Sequence, residues 1–305
     1  MQGLIDEIRQ IPDVALTCYE QNKGLLLPLD VPYIGMGSSY FAALTYFYAG
    51  IQIYPFIASE YYRYLSPLVK PEAVLISQSG ESSETLWNIE KFEKVIAITN
   101  NAQSSLAQTH KIQKIVELHA GEEHYSSTKT YVNTLVSLSL AFEIDPLPAI
   151  QFICDNSNAI EQKAEDEASR IFEHLRKHDS KGFYFLGSGP NIGTAYEAAL
   201  TFTETTKLPW NAMPIAQYDH GIKEAGAKAI VIALNGYGNA KRIDELARSL
   251  ESSGALFIRL DEPEVTEVLS PIPYIFELNF MMNHLGDCLK IKDIFRFGGK
   301  ITTVT

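Results

Sequence analysis

Basic residues are scarce in this sequence. Lys and Arg number 25 against 37 Asp and Glu, giving a formal net charge of −12 over 305 residues. A field of that sign repels nucleic acid and anionic membranes, so neither is an expected partner. An anionic ligand must then be held by local donors rather than by a basic surface. Cysteine is scarcer still: Cys18, Cys154 and Cys288 lie far apart, with no Cys-x-x-Cys pair. That pattern fits reduced thiols in a cytoplasmic protein better than a disulfide framework. Long apolar runs are missing, since no uncharged stretch approaches the roughly 20 residues that span a bilayer. The N-terminal residues Met1–Arg9 mix acids among apolar side chains and read as an amphipathic helix, not a signal peptide. Nucleotide signatures are lacking too. There is no Gly-x-x-x-x-Gly-Lys-Ser/Thr loop, and Gly35-x-Gly37 is not followed by a third glycine, which leaves no nucleotide P-loop and no dinucleotide fingerprint. His174 and His178 are spaced i, i+4 without any further ligand signature, so neither a metal nor an organic cofactor is expected.

What the chain does have is ample apolar material, 46% of its residues against 20% charged, enough for two domains of ordinary size. Short β-rich runs alternate with helical stretches. Val31–Ile34, Ala73–Ile76 and Val95–Ile98 in the first half, and Phe183–Leu186, Ala229–Ala233 and Ala255–Ile258 in the second, read as strands. Continuous apolar strands separated by helices predict parallel sheets covered on both faces, hence an α/β fold of doubly wound type. The halves resemble each other: Tyr33-Ile34-Gly35-Met36-Gly37-Ser38 corresponds to Phe185-Leu186-Gly187-Ser188-Gly189-Pro190. Asp145-Pro146-Leu147-Pro148 interrupts any helix and divides the chain into expected domains 1–148 and 149–305. Only the first half carries a serine-rich loop.

That loop is Ile76-Ser77-Gln78-Ser79-Gly80-Glu81-Ser82-Ser83-Glu84-Thr85. Hydroxyls at 77, 79 and 82 around Gly80 have the donors to wrap the three oxygens of a phosphate monoester, helped by backbone N–H groups. Serines also cap helices and make turns, but one cap needs one hydroxyl. Three hydroxyls and a glycine after a strand, where open α/β sheets bind ligands, favour phosphate.

Here the sequence resembles the sugar-isomerase (SIS) domains, in particular the isomerase half of the glutamine–fructose-6-phosphate aminotransferase family. Ser77-Gln78-Ser79-Gly80-Glu81-Ser82 is similar to that family's phosphosugar loop, and Gly35-Met36-Gly37-Ser38-Ser39 to its first glycine–hydroxyl turn. Ser126-Ser127-Thr128-Lys129 follows Gly121-x-Glu123 as the family's Ser-Thr-Lys segment does. Glu197 to Glu204, Asp219-His220-Gly221 and the tail Arg296–Thr302 match in order. The resemblance implies two tandem SIS domains acting on a hexose 6-phosphate or amino-sugar phosphate. Ser38, Ser39, Ser77, Gln78, Ser79, Ser82, Ser127 and Glu197 would bind substrate, while Glu204, His220 and Lys300 would be catalytic. His220 would reach the sugar of a neighbouring subunit, which implies a homodimer with shared active sites.

The residues themselves give independent grounds for part of this. Glu197, Thr201 and Glu204 fall at i, i+4 and i+7 on one helix face, either a solvated acidic stripe or the wall of a cleft. A carboxyl withdrawn from water there would have a raised pKa and could shuttle a proton between adjacent carbons. His220, in what reads as a loop, could pass a proton as a hexose ring opens. Lys300 by itself reads as a terminal surface cation; only the resemblance implies that it forms a Schiff base with the open ketose or steadies it. Two departures stand out: Thr201 occupies the position of a family lysine, and position 2 is Gln rather than the family's catalytic cysteine. Glutamine-dependent amination is therefore not expected. The leading expectation is conversion of glucosamine 6-phosphate to fructose 6-phosphate and ammonia. Fructosamine-phosphate deglycation, plain aldose–ketose isomerisation and non-catalytic phosphosugar sensing are the alternatives.

Overall fold

The computed structural model describes residues 2–65, 70–234, 238–295 and 297. Compact packing divides the chain into two units. One comprises Gln10–Glu123 and Ser127–Leu147. The other comprises Pro148–Ile294, together with the helix Gln2–Arg9 (α1) and the segment His124–Ser126. The two segments from the first half thus pack away from their sequence neighbours. Leu4, Ile5 and Ile8 form one apolar stripe of α1 and are buried, with α1 lying on the long C-terminal helix of that unit.

In the unit Gln10–Leu147 the order is α2 (Ile11–Gln21), β1 (Pro32–Gly35), α3 (Ser38–Tyr48), β2 (Tyr54–Ile57) and a short turn α4 (Ala58–Glu60). There follow β3 (Lys70–Ile76), α5 (Ser83–Trp87), β4 (Phe92–Thr99), β5 (Ile112–Glu117) and α6 (Lys129–Ala141). All strand pairs are parallel, in the order β2-β1-β3-β4-β5. Ala73, Val74, Leu75 and Ile76 have no exposed surface, and neither do Val95, Ala97 and Ile98. Burying such a side chain contributes about 1.5–3 kcal/mol, which is why the central strands read as unbroken apolar runs. On one face α6 packs on α2 and α3, pinned by Asn133 Nδ2 donating to Val14 O at 3.1 Å and Tyr46 Oη donating to Leu135 O at 2.6 Å.

The other unit has the long helix α7 (Leu147–Lys177), then β6 (Phe183–Gly187), α8 (Asn191–Thr206), β7 (Asn211–Pro214) and α9 (Ile215–Asp219). After these come β8 (Ile230–Leu234), α10 (Ala240–Glu251), β9 (Leu256–Leu260) and α11 (Pro271–Cys288). Its sheet is again wholly parallel, in the order β7-β6-β8-β9. Numbered within each unit, both sheets run 2-1-3-4, and the first adds a fifth strand. The expected α/β architecture with parallel sheets flanked by helices is the one found.

An order in which strand 1 lies between 2 and 3 reverses the winding direction beside strand 1. The carboxyl ends of strands 1 and 3 therefore splay apart to form the crevice where open α/β sheets take ligands. In the first unit those ends lead into Gly35–Ser39 and Ser77–Ser82.

Candidate active site

The two loops of the first unit touch. A Cβ on Gly35 would lie 2.8 Å from Ser39 Cβ and 3.0 Å from the Ile76 carbonyl oxygen, so only glycine lets the exit of β1 lie against the end of β3. Ser38 and Ser39 are buried at the start of α3, and Ser77 and Ser82 are buried in the second loop, while Ser79 is exposed. Gly80 makes the sharp turn, with φ +70° and its N–H donating to Ser77 O at 2.9 Å. Its carbonyl accepts from Leu106 N at 3.0 Å, and Gln78 O accepts from Asn100 N at 2.9 Å. The loop is thus fastened to the segment following β4 by backbone hydrogen bonds. Ser79 Oγ accepts from Glu81 N at 3.2 Å, and Glu81 in turn is held by Ser105 N and Oγ at 2.8 and 2.7 Å.

Ser127 joins this group, 2.8 Å from the Gln78 side-chain amide. The start of α6 beside it is already occupied by the chain's own anion. Glu123 Oε1 accepts the N–H groups of Thr128, Lys129 and Thr130 at 3.0, 2.7 and 3.2 Å, the charge-assisted bonds that a carboxylate makes at a helix N-terminus. Lys129 is spent as well, its Nζ donating to Glu122 O at 2.6 Å and Gln10 Oε1 at 3.0 Å. The hydroxyls of Ser38, Ser39, Ser77 and Ser79 stand in the two loops as candidate donors for an anion, whereas the N–H groups of Ser39, Ser77, Gly80 and Glu81 already donate within the fold.

The second unit holds the acid–base candidates. An aromatic cluster fixes the rotation of α8: Phe202 meets Phe185 of β6 edge-on at 4.8 Å and Trp210 at 5.2 Å. Glu204 lies two residues, about 200° of helix turn, from Phe202, and so points away from that packed side. Glu197 and Thr201 share its face. Glu197 is fully enclosed, which rules out a solvated acidic stripe, and the Thr201 hydroxyl folds back on its own helix, donating to Glu197 O at 3.1 Å. Glu204 is half-buried. Burial pushes its pKa above the ordinary glutamate range, against the lowering effect of a hydrogen bond from Ser126 and of the nearby Lys207 charge. Lys207, which ends α8 in the left-handed conformation at φ +63°, donates Nζ to Glu204 O at 2.6 Å and to Ile294 O. Ser126 is buried, its hydroxyl 3.5 Å from that of Thr205.

His220 does not stand in a free loop: it caps the short helix α9 and is exposed. Among the described residues, Ser126 and Lys207 are the groups that act on Glu204 beside burial itself. Asp219, next to His220, is held below the usual carboxylate range by Lys223, whose Nζ lies 2.8 Å away. Lys300 lies outside the described residues. Ser126 is the site residue that sequence reasoning passed over in favour of Ser127. The hydroxyl run 126–128 was the signal, but nothing in it tells which hydroxyl goes with which unit.

Removing the Ser126 hydroxyl takes away a bond that favours the ionised form of Glu204. Ser126→Ala is therefore expected to move the acid limb of the pH–kcat/KM profile upward. An unmoved limb would separate Ser126 from the titrating group.

Residues 31–144 match the family model of the SIS domain. Glutamine–fructose-6-phosphate aminotransferase (isomerizing) of Thermococcus kodakarensis is 28% identical over 302 residues, covering 83% of this chain and 48% of that protein. The chain spans about half the length of the curated relatives it matches. Among solved structures, the C-terminal domain of glucosamine-fructose-6-phosphate aminotransferase from Francisella tularensis superposes with a TM-score of 0.75 at 20% identity. That match covers 95% of this chain and 97% of the other. Glucosamine-6-phosphate deaminase from Thermotoga maritima gives a TM-score of 0.74 at 19% identity, covering 93% and 94%. Residues 31–144 are thus similar to an SIS domain, the chain is similar to part of these aminotransferases, and it shares its fold with both solved structures.

Proposed function

We propose that this chain is a phosphosugar enzyme of two SIS domains, 1–148 and 149–305, that works on the C1–C2 end of a hexose 6-phosphate. The matching strand order of the two sheets supports the second domain. The observation that carries the enzymatic reading is Glu204. A carboxyl on a rigid helix, accepting from Ser126 and with its pKa raised by burial, suits a base that takes and returns a proton. In this reading the hydroxyls of Ser77, Ser79 and Ser82, with Ser38 and Ser39, hold the phosphate, and Ser127 and Glu197 complete the binding set. His220 passes the proton that opens the ring, and Lys300 steadies the open chain.

The reaction we assign first is deamination with isomerisation. Glu204 removes the C2 proton of open-chain glucosamine 6-phosphate as the C1 carbonyl oxygen takes a proton, and the removed proton then returns to C1. The 2-amino group becomes an imine, and water hydrolyses it to fructose 6-phosphate and ammonia. No redox change occurs and no electron acceptor is required. Incubation with a panel of amino-sugar, fructosamine and plain hexose phosphates tests the assignment. Ammonia and fructose 6-phosphate released together from glucosamine 6-phosphate support it. Ammonia-free aldose–ketose exchange or deglycation of a fructosamine phosphate would move the activity to a related reaction. Binding without turnover of any member would make the chain a sensor.

The exposure of His220 supports a role in a partner's cleft, in a homodimer. Inactive His220→Ala and Glu204→Gln chains, unfolded together and reassembled, are expected to regain activity. Random pairing makes about half the dimers mixed, each with one intact cleft, so the rate should approach about a quarter of wild type if clefts act independently. No recovery from mixed dimers confirmed by mass spectrometry would mean that His220 acts within its own chain or not at all.

A further inference from the structure

Four side chains of the unit Gln10–Leu147 form a row. Thr130 Oγ1 donates to Glu123 Oε2 at 2.5 Å, lies 2.9 Å from Ser127 Oγ, and Ser127 Oγ lies 2.8 Å from the Gln78 amide atom placed as oxygen. The amide atom placed as nitrogen is enclosed and has no hydrogen-bond partner. Each hydroxyl brings one proton. The Glu123 carboxylate, which already takes three backbone N–H groups on its other oxygen, only accepts, so it claims the Thr130 proton. The 2.9 Å contact is then a bond only if Ser127 points its proton at Thr130. Ser127 has none left for Gln78, and the 2.8 Å contact is a bond only if the Gln78 NH2 donates. Turning the amide over exchanges two atoms of nearly the same size. It satisfies all three contacts. It also replaces an enclosed orphan donor by a carbonyl, the more tolerated of the two when under-satisfied.

We propose that Gln78 is held with its NH2 on Ser127 and its carbonyl turned away, and that Glu123, acting through Thr130 and Ser127, is the positioning residue that fixes this orientation. One of the two Gln78 N–H groups is then committed to Ser127. The proposal rests on reading Ser77–Ser82 as the phosphate loop, but the orientation is tested apart from that reading.

Neutron diffraction from deuterium-exchanged crystals of the full chain locates the amide protons directly. Deuterium is expected on the Gln78 atom that faces Ser127. Thr130→Val keeps the shape but breaks the row, which frees the Ser127 proton, and in that variant the reversed amide is expected to appear beside the original one. A wild-type carbonyl facing Ser127, or the same orientation in both proteins, overturns the proposal. If wild-type protein bound a hexose 6-phosphate but no inorganic phosphate, and Ser77→Ala and Ser82→Ala left the sugar's affinity intact, the loop reading would fail. The neutron map would still decide the amide.

Discussion

Glu204→Gln is expected to lower turnover on the responsive sugar phosphate by about 10²–10⁴ while the ligand still binds. The substitution keeps the shape of the side chain and its ability to accept from Ser126, but it removes the base. Because the carboxyl is half-buried and its pKa is raised, the wild-type enzyme should also show its own acid limb. A base must be ionised in the free enzyme, so kcat/KM falls as pH drops through the pKa of Glu204, and that limb lies above the ordinary glutamate range. In Glu204→Gln the limb should vanish together with the rate. Exchange of the sugar's C2 hydrogen with deuterated solvent gives the most direct measurement. Exchange at the wild-type rate in Glu204→Gln would remove Glu204 from the proton transfer.

The second large effect is expected at Gly80, from geometry alone. A Cβ there would sit 2.0 Å from Ser104 Oγ and 2.2 Å from Ser104 Cβ, on a backbone at φ +70°. The left-handed conformation costs a non-glycine residue about 1–2 kcal/mol, and the clash forces the turn off the segment it is bonded to. Gly80→Ala should thus weaken hexose 6-phosphate binding by about 100-fold, equivalent to about 2.7 kcal/mol. Gly24→Ala is the control, since Gly24 also has positive φ, +76°, but nothing within 4 Å of the added carbon. It should lose only the conformational part, seen as a small drop in stability with binding intact. Removing the obstacle in Gly80→Ala/Ser104→Gly should recover much of the affinity, a coupling readable as a double-mutant cycle. Wild-type binding by Gly80→Ala would detach the ligand from this loop.

Much of the architecture was legible along the chain because central parallel strands are buried on both faces. Six strands appear as apolar runs, among them Ala73–Ile76 and Ala229–Ala233. The three strands missing from that reading are edges: β2 (Tyr-Pro-Phe-Ile) and β7 (Asn-Ala-Met-Pro) each carry a proline, and β5 (Ile-Gln-Lys-Ile-Val-Glu) breaks its apolar residues with polar ones. An edge strand has one neighbour and a solvated side, so its sequence is not forced to be apolar. The helices gave a different difficulty. Ile215–Asp219 is too short for a 3.6-residue period to declare itself, and His220 therefore read as part of a loop.

By itself, then, the sequence determined the α/β class, the glycine–hydroxyl turns after β1 and β3, and the common helix face of Glu197, Thr201 and Glu204, because each depends on neighbours within a few residues. Tertiary structure alone decided the strand order that sets those two turns side by side. It also decided the full enclosure of Glu197 against the half-burial of Glu204, and the pairing of Ser126 with Glu204 while the adjacent Ser127 meets Gln78. These depend on groups up to 79 residues apart along the chain. A local pattern names a donor or a carboxyl, but its proton and its pKa are set by whatever distant segment is packed against it.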